Sequence, residues 1–446
     1  MLFSTQSSAR AMSHRVLFVA ILCALAGCSA LPGGGTPTAD TADPTADTAD
    51  STAVAPQNAT TETTTETTPE TTTEATPETT TATASPTPTP TPSGEQVDAE
   101  GEQVDVEGEL VANATRAFER IEQLTGEDVE PSRVVVRHAV FGGSFGYDDP
   151  IMRIFRFTAT RPYVDSTRGR TQRAGKVYIN PGEGSPDEVE HALAHEFVHV
   201  VQFRTGMIPW IDTSPPHRDR FHANVMLAEG GAVYAADRYV ERYGLNSTDH
   251  RERARQRYEA GPTGTRYTYS FYYFGSRYAA HEIESSENLS VLYENPPKTS
   301  EQVLHNLSTE TEPPRNLTVN YERHDWRVPK TDRMGELFVR VALRDQLNRS
   351  TATPAAAGWG NDEIAVFRNG EAAAVAWTLR WDDPANATEF SDAFATYQER
   401  RSSAFAFRQV RVDANTTVVF GGDPFFVGNA TAGADGSAVT VTAPAQ

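Results

Sequence analysis

From Ser29 to about Glu107 the chain is written almost wholly in Thr, Pro, Ala, Asp and Glu, with repeats such as Thr-Ala-Asp and Pro-Glu-Thr-Thr-Thr. Such a stretch has almost no apolar side chain to bury and cannot offset its own conformational entropy. It predicts a disordered stalk, extended by proline and by like charge, of a composition that often carries O-glycans. A near-duplicate, Gly94-Glu95-Gln96-Val97-Asp98 and Gly101-Glu102-Gln103-Val104-Asp105, closes it. Any core must therefore be built by the residues that follow.

Ahead of the stalk, Arg10, His14 and Arg15 precede an apolar run from Val16 to Leu25. The run is too short to span a bilayer and fits a secretory signal. It ends in Leu25-Ala26-Gly27-Cys28, which resembles the lipobox of prokaryotic lipoproteins; the resemblance implies that Cys28 becomes the lipidated N-terminus. The expected layout is a signal over 1–27, a stalk over 28–108, a folded domain over 109–350 and an α/β portion over 351–446 packed on it. The protein would then sit on the extracellular face of the membrane. Cys23 and Cys28 are the only cysteines, so the mature domain has no disulfide and no thiolate ligand. Any metal must be held by His, Asp or Glu.

The formal charge is -21, and the only lysines are Lys176, Lys298 and Lys330. Excess carboxylate with little lysine keeps a surface hydrated in concentrated salt and resembles halophilic, haloarchaeal proteins. With no basic cluster, an acidic chain also argues against nucleic-acid binding. Sequons from Asn58 to Asn429 fit an exported glycoprotein.

Beyond the stalk the pattern is α+β. Ala117, Phe118, Ile121 and Leu124 mark a helix over Val111–Leu124. Strands are expected at 134–136 and 175–180. A helix over 185–203 opens with Ser185 as N-cap, Pro186 at its first position and Glu188 completing a capping box. Further helices are expected over 222–239, 272–284, 335–347 and 389–400. Strands are expected near 364–367, 373–381, 410–412, 416–420 and 438–441. The architecture is thus a small sheet, a helical core and a strand-rich C-terminal portion.

The capped helix contains His195-Glu196-Phe197-Val198-His199. Histidines four apart share one helical face, so both imidazoles can reach one metal, and Glu196 stands beside them where a carboxylate can take a proton from water. Catalytic zinc needs a third protein ligand. In the next helix Glu229 sits among Val225, Met226, Ala232, Val233 and Ala236. A carboxylate on an apolar stripe is costly unless it is paired with a buried arginine or bound to a metal. Gly230 and Gly231 would let this helix approach the first closely.

HExxH followed by Glu229-Gly230-Gly231-Ala232 resembles the gluzincins, zinc peptidases whose third ligand is a glutamate one helix downstream. A zincin-like fold, peptide-bond hydrolysis by a metal-activated water, and a peptide or protein substrate follow from the resemblance. It implies His195, His199 and Glu229 as Zn2+ ligands and Glu196 as general base. It also implies that the strand Val177–Asn180 is an edge strand to which extended substrate pairs. Tyr272-Tyr273-Phe274-Gly275 is similar to the Tyr-x-x-Gly that follows the zinc helices in several such families. There a tyrosine stabilises the oxyanion, which makes Tyr272 the expected residue, with Tyr273 or His281 as alternatives.

The metzincin extension would place Gly at position 202 and His at 205; Gln202 and Thr205 stand there instead. His191 is expected to be solvated, His217 and His222 to line the cleft, and Asp237 to orient a ligand histidine. No chemical role attaches to the segments 296–305, 355–362 and 377–383. The rival reading is a surface glycoprotein that keeps a gluzincin-like scaffold for binding or envelope structure. If Cys28 carries the anchor, Cys28→Ala releases the protein into the medium on cell fractionation; retention with membranes would place the anchor elsewhere.

Overall fold

The computed structural model describes residues 103–138, 149–157, 167–208, 214–402 and 404–445; the expected signal, Cys28 and nearly all of the stalk lie outside them. The fold is α+β. Its first strand, β1 (Asp105–Glu107), begins at the last residue of the second copy of the near-duplicate, so the expected stalk runs a few residues too far. Val104 is buried beneath it. Helix α1 (Ala114–Thr125) follows, capped by Asn113, whose side chain accepts from Arg116 N. Next come β2 (Arg133–Val136), the short α2 (Pro150–Ile154), β3 (Arg168–Thr171) and β4 (Val177–Asn180). The sheet order is β1-β2-β4-β3: the first three strands are parallel and β3 is antiparallel to β4. The strand expected at the edge, β4, is therefore interior, and β3 occupies the edge. Arg-Gly-Arg-Thr has none of the β-branched alternation that marks a strand, which hid it.

Helix α3 (Pro186–Arg204) begins with the expected capping box. Ser185 Oγ accepts from Glu188 N at 3.3 Å, and Glu188 Oε2 accepts from Ser185 N at 2.9 Å. Every residue from Val189 to Gln202 is buried, so this helix is enclosed on all sides and carries its polar side chains inward. Helix α4 (Arg218–Tyr243) is longer than its apolar stripe suggested, starting at the His217 cap and ending at Gly244 in the left-handed region. Then come α5 (His250–Ala260) and α6 (Thr263–Glu282). Helix α5 is highly charged and buries only the stripe His250, Ala254 and Tyr258, which is too narrow to register as amphipathic. Helix α6 starts nine residues before its expected start at Tyr272, because Pro262 sets its N-terminus.

A 3-10 segment (Ser286–Tyr293) and α7 (Ser300–Leu304) lead to β5 (Thr318–Glu322) and β6 (Arg327–Asp332). The chain continues through α8 (Gly335–Leu343), α9 (Arg349–Ala352), β7 (Trp359–Asn369), β8 (Ala372–Trp381), α10 (Pro384–Arg400), β9 (Ala406–Asp413) and β10 (Thr416–Gly422). It ends with α11 (Pro424–Asn429), β11 (Thr431–Asp435) and β12 (Ala438–Thr442). An antiparallel sheet has the order β6-β7-β8-β10-β9, and a smaller one the order β11-β12-β5. Because β5 and β6 pair with β12 and β7, the C-terminal portion begins near 318 rather than at 351.

The five-stranded sheet is a wall between two cores. Along β8, Val375 and Trp377 face the helices, while Ala374 and Ala376 face the smaller sheet. In β7, Ile364 and Val366 alternate with Ala365 and Phe367 in the same way. This is the two-residue period of a pleated strand. Asp362 of β7 fastens α8 to the wall, accepting from Met334 N (2.9 Å), Gly335 N (2.9 Å), Trp359 Nε1 (3.0 Å) and Trp377 Nε1 (2.8 Å).

Glu190 of α3, almost fully buried, accepts from Arg116, Arg120 and Tyr239, which ties α1 and α4 to it. The close crossing lies between α4 and α6: a Cβ on Gly230 would stand 2.1 Å from the Gly275 carbonyl carbon. Gly230 thus serves α6 rather than α3, and Gly231 faces Tyr293 Oη and Gln202 Nε2. Backbone meets backbone at Gly230, and neither side can yield. Gly230→Ala therefore lowers stability by about 3 kcal/mol, read as a drop in denaturant midpoint at unchanged m-value.

Candidate metal centre

Helices α3 and α4 bring His195, His199 and Glu229 together. The exposures of their side chains are 2%, 5% and 0%. Glu229 Oε2 is 3.4 Å from His195 Nε2 and 3.3 Å from His199 Nε2. Two donors bound to one tetrahedral zinc at 2.0–2.2 Å stand about 3.4 Å apart. The imidazoles meet edge to face, with ring centroids 4.8 Å apart at 86°. His195 Nε2 and Glu229 Oε1 are buried without a hydrogen-bond partner. Two imidazoles and a carboxylate, converging at the edge length of a zinc tetrahedron with donor atoms left over, fit Zn2+. No buried arginine pairs with Glu229 among the described residues.

The electrostatics agree with that convergence. Burial disfavours a charged His199, yet Glu229 outweighs it and lifts the imidazole to about 9. Burial likewise pushes Glu229 toward the neutral form, and the two histidines hold it below its ordinary value. His195 is shifted down by burial despite Glu229.

Glu196 lies next to the cluster and is pushed up to about 8 by burial, partly offset by His199 and Thr171. Thr171 Oγ1 on the edge strand β3 donates to Glu196 Oε2 at 2.7 Å. One residue pair earlier on the same strand, a Cβ on Gly169 would stand 2.3 Å from Glu196 Cγ. Strand β3 thus both holds and makes room for this carboxylate.

Gln202, which the sequence reading used only to dismiss another class, holds the ring of His199. Its Oε1 is 2.7 Å from His199 Nδ1, while its Nε2 donates to Ala228 O (2.9 Å) and Tyr293 Oη (2.7 Å). Its place one turn after His199, on the same face, was the available signal. Asp237, expected in that role, instead accepts from His250 N (2.7 Å) and Arg251 N (3.1 Å) and lies 3.4 Å from His191 Nε2.

His191 is fully buried rather than solvated, stacked on His250 with centroids 3.6 Å apart at 8°. His191, Asp237 and His250 also bring ligand atoms within 4.8 Å of one another. The parallel rings, however, send their nitrogen lone pairs side by side rather than toward one point. His217 caps α4 and contacts Arg333, and His222 is bonded to Tyr267, so neither joins the cluster.

Tyr272 sits at mid-helix with its ring centroid 6.3 Å from that of His195. Tyr273 packs on Tyr258 and Phe274, and His281 lies exposed against Glu282 at the end of α6. Of the three oxyanion alternatives, Tyr272 is the one brought beside His195.

Gly169→Ala is expected to cost about 2 kcal/mol by driving Cβ into Glu196. Shortening Glu196 to Ala in the same chain relieves most of that loss, and a double-mutant cycle of unfolding free energies checks it. Additive effects would mean that the glycine and the glutamate do not touch.

The profile of one family, described as Domain of unknown function (DUF8575), matches residues 322–446. That stretch begins at the end of β5 and contains none of His195, Glu196, His199 and Glu229. No curated protein and no solved structure matches the chain.

Proposed function

We propose that this protein is a zinc-dependent peptidase of gluzincin type. The observation that carries the reading is the spacing of two buried imidazole nitrogens, 3.3 and 3.4 Å from one buried carboxylate oxygen, with a second carboxylate, Glu196, beside them. His195, His199 and Glu229 would hold Zn2+. When bound there, zinc supplies a Lewis acid that polarises a scissile carbonyl and makes water acidic enough to be deprotonated near neutrality.

The chain's own residues do the rest. Glu196, kept in place by Thr171, takes the proton from the attacking water and passes it toward the leaving amine. Gln202 fixes the orientation of His199, as an outer partner of a metal ligand does. Strand β3 is the edge along which an extended peptide would add as a further strand. Tyr272, whose ring centroid lies 6.3 Å from that of His195, would donate to the developing oxyanion. Display on the outer face of the membrane, through lipid on Cys28, would bring the domain to extracellular peptides or proteins.

A second reading, a metal-holding scaffold without hydrolysis, is favoured by one observation: at most 4% of His195, Glu196, His199 or Glu229 is exposed. One variant separates the two. Glu196→Gln keeps the ligands and the shape but removes the proton acceptor. The peptidase reading expects about one zinc per chain in both forms, with peptide cleavage in concentrated salt falling by about 10² to 10⁴-fold in the variant. Zinc without cleavage of any peptide by the parent favours the scaffold. No metal near stoichiometry would end both readings.

A further inference from the structure

Most buried acids of this chain have their donors in view. Asp362 accepts four hydrogen bonds, and Asp219 accepts from Ser300 N (2.9 Å) and Ser300 Oγ (2.7 Å). Glu336 is paired with Arg340 at 2.7 Å and His305 at 2.8 Å. Glu301 is different. It lies on α7 at 2% exposure, and among the described residues its carboxylate has neither a hydrogen bond nor an ion pair.

The charges around Glu301 make matters worse for it. Burial raises its pKa, and Glu336, Glu312, Asp382 and Asp219 each push it further in the same direction. Carboxylate oxygens of Glu301, Glu312 and Asp382 lie within 4.8 Å of one another. One guanidinium answers them: Arg315, exposed at the rim, meets Asp382 Oδ1 at 2.8 Å. Three carboxylates against one arginine leave two negative charges, one of them on a side chain withdrawn from water. Unpaired buried charge of this kind is expensive.

The donors are all oxygen, with no imidazole or thiolate among them, which selects a hard cation over zinc. Bonds of 2.3–2.6 Å let Ca2+ take oxygens as much as about 5 Å apart and accept irregular shells, whereas Mg2+ requires a tight octahedron. The ligands also come from distant places: α7, the segment between α7 and β5, and the end of β8. Two of them fall in the segments 296–305 and 377–383, which had no role in the sequence reading.

We propose that Glu301, Glu312 and Asp382 form a calcium site that clamps the α7–β5 connection between the helices and the five-stranded sheet. The site is separate from the zinc cluster and does not depend on it. The test uses the full chain, zinc-loaded, in molar NaCl freed of divalent ions by a chelating resin. Calorimetric titration with CaCl2 is expected to give one Ca2+ per chain. The unfolding midpoint should rise by at least about 3 °C at up to about 10 mM CaCl2.

Glu312 is exposed, so Glu312→Gln leaves folding intact and should weaken calcium binding at least about tenfold. Glu301→Gln should abolish the calcium response. If that variant fails to fold, Glu312→Gln alone decides the matter. Three results would each overturn the proposal: an unmoved midpoint in the parent, unchanged calcium affinity in Glu312→Gln, or an equal rise with MgCl2. A parent blind to calcium, with Glu301→Gln as stable as the parent, would show that Glu301 is simply protonated.

Discussion

A carboxylate withdrawn from water on an apolar helix is the constraint around which the helical half is arranged. Glu229 has Val225, Met226, Ala232 and Val233 as helical neighbours, all buried, and its charge is tolerable only because two imidazoles reach it from α3. That reach fixes the separation of α3 and α4 at this point. The glycines of α4 answer this requirement at different points. Gly230 lets α6 close over the helix from behind, and Gly231 leaves space for Tyr293 and Gln202 between α3 and α4. Gln202 then turns a packing problem into an orienting one, since the same amide that satisfies Ala228 O and Tyr293 also fixes the ring of His199.

The strand-rich half is joined to this arrangement by acids rather than by a linker. Asp362 collects the first N–H groups of α8 and two indole N–H groups, so a helix and two large aromatics are held by one buried side chain. Asp219, at the start of α4, reaches across to Ser300, and Gly335 has no side chain because Asp219 occupies that space: a Cβ there would stand 1.9 Å from Asp219 Oδ1. A positive φ of 79° at Gly335 makes the same demand on the backbone.

What the sequence made legible follows from how local the signals are. The HExxH pair and the capping box of α3 are written within single helical turns, and both stand where spacing placed them. Glu229 was visible because a carboxylate interrupts an apolar stripe. Strand β3 was not, since Arg-Gly-Arg-Thr owes its conformation to pairing with β4 and the burial of Arg168 to the neighbouring fold. The true start of α6 was hidden by Thr263 and Gly264, poor helix formers kept helical by tertiary packing. Gln202 took the orienting role expected of Asp237, because spacing along α4 does not say what α3 presents to it. The fate of His191, stacked on a histidine from a separate helix, could not be read from either segment alone.

The alternation along β7 and β8 sets how a substitution in the strand-rich half is felt. Residues 322–446 cover both faces of the five-stranded sheet with their own elements: β11 and β12 lie on one, while on the other α8 and α10 meet the indoles, Phe338 on Trp377 with ring centroids 5.5 Å apart and Phe390 on Trp381 at 4.7 Å. Indoles and branched chains in that number do not stay uncovered on a lone sheet. A change at Trp377 or Trp381 is therefore passed first to α8 or α10, and a change at Ala374 or Ala376 to the smaller sheet.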